Sequence, residues 1–111
     1  ALTCIANDFG YEHVFARQLA GLARAGDVLV CFSTSGASPN ILAALDTARE
    51  RDVVSVAMLG KGGGAARARA DYALVVPSDT TARIQEVHTL VLHVICEQVE
   101  RALSAPPTYS A

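Results

Sequence analysis

The sequence predicts an α/β fold: a three-layer parallel sheet with helices on both faces. Three observations carry this. Short apolar runs at Val28–Phe32, Val53–Leu59 and Tyr72–Val76 alternate with amphipathic segments. The connections between them are short, as in strand–helix–strand units. The longest amphipathic segment, Ile84–Leu103, follows the last strand. The 111 residues make one domain, or part of one, expected over residues 1–103, with 104–111 as a flexible tail.

Taken in order, Leu2–Ala6 reads as a short strand ended by Asn7-Asp8-Phe9-Gly10. Val14–Ala25 places Val14, Phe15, Leu19 and Leu22 at helical spacing and stops at Gly26. The continuous apolar runs Val28–Phe32 and Val53–Leu59 predict strands buried on both faces. Between them, Ile41–Arg51 sets Ile41, Leu42, Leu45 and Ala48 on one side of a helix. Gly60 and Gly62-Gly63-Gly64 break the pattern and read as a flexible loop. Ala65–Ala70 allows only a short helix, and Pro77 closes the third strand. In the last helix, Ile84, Val87, Val91, Val94 and Ile95 form one apolar stripe, which Leu90, Leu92, Cys96, Val99 and Leu103 widen. A helix with so little polar face is buried on more than one side, so its second side is expected against another subunit.

Composition excludes several function classes. The chain is 51% hydrophobic and carries a formal charge of −2, which gives no basic face for nucleic acid. No apolar run approaches the ~18 residues of a membrane span. Cys4, Cys31 and Cys96 show no metal-ligand spacing and read as reduced thiols of a cytoplasmic protein.

The residues richest in chemistry are Ser33-Thr34-Ser35-Gly36-Ala37-Ser38-Pro39-Asn40, between a strand and a helix. Backbone N–H groups at a helix start lack intrahelical partners and attract anions. Ser38 suits an N-cap and Pro39 a first helical position. The stretch reads as a phosphate cradle, or as a tight βα turn whose hydroxyls are merely exposed. It lacks GxxxxGKS/T and GxGxxG, so it is neither a nucleotide P-loop nor a dinucleotide fingerprint. Without a cation it suits a single phosphate rather than a polyphosphate. Ligands in such sheets bind beyond the carboxyl ends of strands, where this turn lies.

Arg83-Ile84-Gln85-Glu86-Val87-His88 and His93 form the second candidate stretch. Gln85 and His93 are two helical turns plus ~80° apart, with about 12 Å of rise, and project to the same broad side. His88 lies on a different face from His93. By itself, His93 reads as a histidine satisfied within an apolar helix. Asn7-Asp8 reads as a turn pair or as a hydrogen-bonding pair for sugar hydroxyls.

Together, NDFGYEHVFARQ, GDVLVCFSTSGASPNILAAL and ARIQEVHTLVLHVICEQVE resemble phosphoheptose isomerases of the sugar-isomerase (SIS) superfamily, from Thr3 to about Leu103. The resemblance implies substrate contacts at Asn7, Asp8, Ser33, Thr34, Ser35, Ser38 and Gln85. It implies zinc bound at Gln85 and His93, with His93 also the catalytic acid–base group. It further implies a homotetramer acting on a small sugar phosphate; composition leaves neither nucleic acid nor membrane as an expected partner. The implied reaction interconverts sedoheptulose 7-phosphate and D-glycero-D-manno-heptose 7-phosphate through an enediol, in nucleotide-activated heptose biosynthesis. The superfamily also contains non-catalytic phosphosugar-binding modules and a relative that associates with a replication initiator. The family pattern begins with a GNGGS-type loop and a helix carrying His-x-x-x-Glu, which supply the remaining zinc ligands and the base. The sequence lacks both, and the expectation is that this N-terminal part precedes Ala1.

Overall fold

The computed structural model describes residues 1–104 and Pro106. Its elements run α1 (Leu2–Phe9), a 3₁₀ turn (Tyr11–His13), α2 (Val14–Leu22), β1 (Val28–Ser33) and α3 (Pro39–Glu50). They continue with β2 (Val54–Leu59), α4 (Ala66–Arg69), β3 (Tyr72–Val75) and α5 (Thr81–Ser104). Ser104 closes α5, and most of the expected tail lies outside the described residues.

The first element differs from the sequence expectation. Leu2–Phe9 is a helix, not a strand, and it ends at Gly10, whose φ is 98°. Leu2, Ile5, Ala6 and Phe9 recur at intervals of three and four, the helical period. The apolar block Leu2–Ala6 hides that period when read alone. Arg17 of α2 lays its guanidinium 3.5 Å above the centre of the Phe9 ring and ties the two helices together.

The three strands form one parallel sheet in the order β1-β2-β3. Val28 to Ser33 pair with Val54 to Leu59, and Val56 to Leu59 pair with Tyr72 to Val75. Strand side chains alternate between faces. Cys31, Ala57 and Leu59 point to one face, where Ile41 and Leu45 of α3 and Ala66 of α4 complete the core. At the opposite end of the strands, Ser55 N–H donates to Asp71 Oδ2 at 2.8 Å, and Asp71 N–H donates to Ser55 Oγ at 3.0 Å.

The second face is covered only near its carboxyl end. There Met58 is buried, and the His88 ring of α5 lies 5.8 Å from the Phe32 ring. Farther down the same face, toward the amino ends of the strands, Val28 is 60% exposed and Val54 is exposed as well. The expectation of strands buried on both faces therefore holds for one face and for one end of the other. The physical reason is that α5 docks through Ile84 and His88, its two buried residues. Fully burying Ile84 contributes roughly 1.5–3 kcal/mol. Gly60 permits this contact, because a Cβ there would run into the Ile84 side chain. Beyond His88 most of the helix is exposed, with Leu90 64% and Leu103 82% exposed and only Val91 and Ile95 half-buried.

Candidate functional site

The 33–38 loop leaves the carboxyl end of β1 and turns into α3. Ser33 Oγ, itself buried, accepts the Gly36 N–H at 3.0 Å and lies 3.0 Å from Ser38 Oγ. Ser35 Oγ accepts the Ala37 N–H at 3.1 Å. Ser38 stands at the N-cap position of α3, yet its side chain makes no capping bond, contrary to the sequence expectation. Its hydroxyl is turned back to Ser33 and stiffens the loop instead.

Two serine hydroxyls thus satisfy the amides of Gly36 and Ala37. Among the described residues the amides of Thr34, Ser35 and Ser38 find no acceptor. Pro39 has no N–H, and Asn40 occupies the second helical position, where an amide has no intrahelical partner. The positive end of the α3 dipole adds to these free donors. The arrangement suits an anion with several acceptor oxygens.

The glycines at 62–64 have a different role from the expected flexible loop. All three have positive φ, and Gly64 packs its backbone against Gly36. The Ala66 N–H donates to the Gly36 carbonyl at 2.9 Å. Gly36 itself has φ +65°, and a Cβ there would overlap the Gly63 carbonyl. Two glycine turns lie backbone to backbone, and the second props the hydroxyl loop from behind.

In front of the loop opens a cavity of about 590 Å³, lined by Phe32, Ser33, Thr34, Ser38, Gln85, His88, Thr89 and Leu92. None of these residues carries a fixed charge. The hydroxyl loop supplies one wall and the first turns of α5 the other. The structure therefore brings Ser33, Thr34, Ser38 and Gln85 to one space, with Ser35 in the same loop. It does not bring Asn7 and Asp8 there. Both sit exposed on α1, where Asn7 Nδ2 donates to Asp8 Oδ1 at 2.9 Å. His93 is exposed on α5 and does not line the cavity. The ~80° turn between Gln85 and His93 carries it away from this wall.

The residue to which sequence reasoning gave no role beyond its different face from His93 is His88. It is 4% exposed, and its Nε2 lies 2.9 Å from the Leu59 carbonyl oxygen. Its signal was its place one helical turn after Gln85, which puts the two side chains on one face. Metal binding finds two candidate donors, Gln85 and His93, and among the described residues no group of three His, Cys, Asp or Glu is close enough to hold an ion. Cys31 is no nucleophile here: burial pushes its thiol up to about 11.

Comparison with known proteins agrees with this architecture. Residues 1–60 match the SIS domain model. The chain is 49% identical over 102 residues to a phosphoheptose isomerase of Sulfurimonas denitrificans, covering 92% of this chain and 52% of that protein. It is 51% identical to one from a Geobacter species, covering 92% and 53% respectively. The solved phosphoheptose isomerase GmhA of Neisseria gonorrhoeae superposes with a TM-score of 0.86 at 48% identity, over 89% of this chain and 56% of that one. A phosphoheptose isomerase structure from Francisella tularensis gives 0.84 at 38% identity, over 86% and 52%. The chain thus spans about half the length of the relatives it matches. With a parallel sheet, a hydroxyl loop at a strand's carboxyl end, and a family model matching more than half of its residues, the chain belongs to the SIS domain family.

Proposed function

We propose that the protein acts as a phosphoheptose isomerase, interconverting sedoheptulose 7-phosphate and D-glycero-D-manno-heptose 7-phosphate in nucleotide-activated heptose biosynthesis. The observation that carries this reading is the loop at 33–38, whose unpaired amides and hydroxyls open into the same cavity as Gln85. Support comes from phosphoheptose isomerases that match about nine-tenths of this chain at about half identity.

In this reading the loop holds the phosphate of the sugar. Anchoring that end converts its binding energy into orientation of the distant reacting carbons. The reaction removes a proton from C1 of the ketose and protonates the C2 oxygen, giving the 1,2-enediol. Loss of the O1 proton and protonation of C2 then give the aldose. Each transfer needs one properly placed acid or base. Gln85 is the polar side chain of α5 that faces the sugar; His93, carried over from the resemblance as the acid–base group, stands outside this cavity in the single chain and would reach the sugar only in the assembled homotetramer. Zinc belongs to the same proposal, with Gln85 and His93 named as two of its ligands by the resemblance to phosphoheptose isomerases, although His93 stands outside the cavity that Gln85 lines in the single chain; when bound, it would polarise the sugar's carbonyl and hydroxyl oxygens. The exposed apolar length of α5 supports a homotetramer in which copies of this helix cover one another. A cytoplasmic location accords with a phosphorylated metabolite as substrate.

The test is conversion of sedoheptulose 7-phosphate to an aldose phosphate by the purified protein. His93→Gln is expected to abolish turnover while leaving the thermal melt unchanged. Turnover equal to that of the unaltered protein would remove His93 from the mechanism. Tight sugar-phosphate binding with neither turnover nor stoichiometric zinc would replace the enzyme by a binding module.

A further inference from the structure

His88 is buried, polar and unused by the reading above. The Leu59 carbonyl can only accept a hydrogen bond, so Nε2, 2.9 Å away, carries the proton. In the neutral imidazole that leaves Nδ1 as an acceptor. Nδ1 makes no hydrogen bond among the described residues. Yet no buried side-chain nitrogen or oxygen among them lacks a partner. Nδ1 is therefore reachable, and the space that His88 borders is the cavity in front of the hydroxyl loop. The Phe32 ring, tilted 60° at 5.8 Å, fixes the plane of the imidazole. Gln85 and Thr89 flank it on the same wall.

We propose that His88 is a further ligand contact, its Nδ1 accepting a hydrogen bond from a hydroxyl of the sugar whose phosphate sits on the 33–38 loop. The assignment deepens the sugar-phosphate reading and rests on it. The loop offers N–H and O–H donors, which suit phosphate oxygens. The α5 wall offers an acceptor, which suits an alcohol. The Leu59 carbonyl sets this polarity by selecting the tautomer.

Two measurements test the proposal on the protein labelled with ¹⁵N. In the first, inorganic phosphate and sedoheptulose 7-phosphate are titrated separately while the Thr34 and Ser35 amides and the His88 ring nitrogens are followed. Both ligands are expected to move the amides, and only the sugar phosphate to move Nδ1 strongly. Loop amides that respond while Nδ1 stays still under sugar phosphate would overturn the assignment and leave the loop reading intact. Amides that respond to neither ligand would overturn the loop reading and this assignment with it. In the second, His88→Gln keeps an N–H donor near the Leu59 carbonyl and deletes Nδ1. Sugar-phosphate affinity is expected to fall about three- to tenfold, the effect of one neutral hydrogen bond, with inorganic phosphate within twofold of the parent. Equal losses for both ligands would mean that His88 only pins α5 to β2, and the proposal would fall. The first measurement needs no variant and decides the question if the substitution unfolds the protein.

Discussion

Replacing Gly36 with alanine probes the support of the hydroxyl loop, the proposed phosphate site, directly. Two costs add. An L-residue at φ +65° occupies the left-handed region, at roughly 1–2 kcal/mol. The new methyl also overlaps the Gly63 carbonyl and lies 3.0 Å from the Gly64 nitrogen. These are backbone atoms, so no rotamer change relieves the clash, and one glycine turn must shift; overpacking of this kind costs about 1–3 kcal/mol. The sum is roughly 2–5 kcal/mol, a large share of the ~5–15 kcal/mol that stabilises a typical domain. Gly62 is the internal control: φ is +81°, but a Cβ there meets nothing within 4 Å. Gly62→Ala carries only the conformational cost. Urea unfolding followed by circular dichroism should therefore show Gly36→Ala less stable than Gly62→Ala by about 1–3 kcal/mol, and phosphate titration should show weakened binding in Gly36→Ala alone. Equal destabilisation by the two substitutions would refute the claim that the glycine turns brace each other.

Further outcomes are expected. Ser33→Ala leaves the Gly36 amide without its acceptor in a buried place, so stability should fall by about 1–3 kcal/mol by urea unfolding, with weaker phosphate binding in the same protein. Asp71→Ala unpairs the Ser55 amide at the far end of the sheet, and should cost about 1–3 kcal/mol while leaving phosphate affinity unchanged. Cys31 adds a pH dependence. Its folded thiol is pushed up to about 11 against 9.0 when unfolded. Between these values the unfolded chain loses the proton first, so the contribution of Cys31 is complete below pH 9 and is lost as pH rises toward 11. The decline should reach about 2–3 kcal/mol across that window, and Cys31→Ala should flatten it in urea titrations at stepped pH. An unchanged slope in the variant would exclude the thiol as its source.

How far the residues announce themselves differs from element to element. The strands at Val28, Val54 and Tyr72 and the helix starting at Pro39 stand in the sequence almost as they stand in the fold, because each is a local hydrophobic pattern closed by Gly or Pro. The hydroxyl loop was equally visible, since its chemistry lies in consecutive residues. The helix at Leu2–Phe9 was misread because five apolar or small residues in a row obscure a period of three and four. The Gly62–Gly64 turn was misread for another reason: its meaning lies in contact with Gly36, 26 or more residues earlier, which no local window contains.

The chain alone determined the alternation of strands and helices and the hydroxyl-rich turn at residues 33–38 on which the phosphate proposal rests, because both follow from neighbours along the backbone. Tertiary structure alone decided that Gln85 and His88 form the wall opposite that loop, and that Asn7, Asp8 and His93 stand apart from it. Helical spacing says which side chains share a face of α5. Only the docking of Ile84 and His88 over β2 says which face turns toward the cavity.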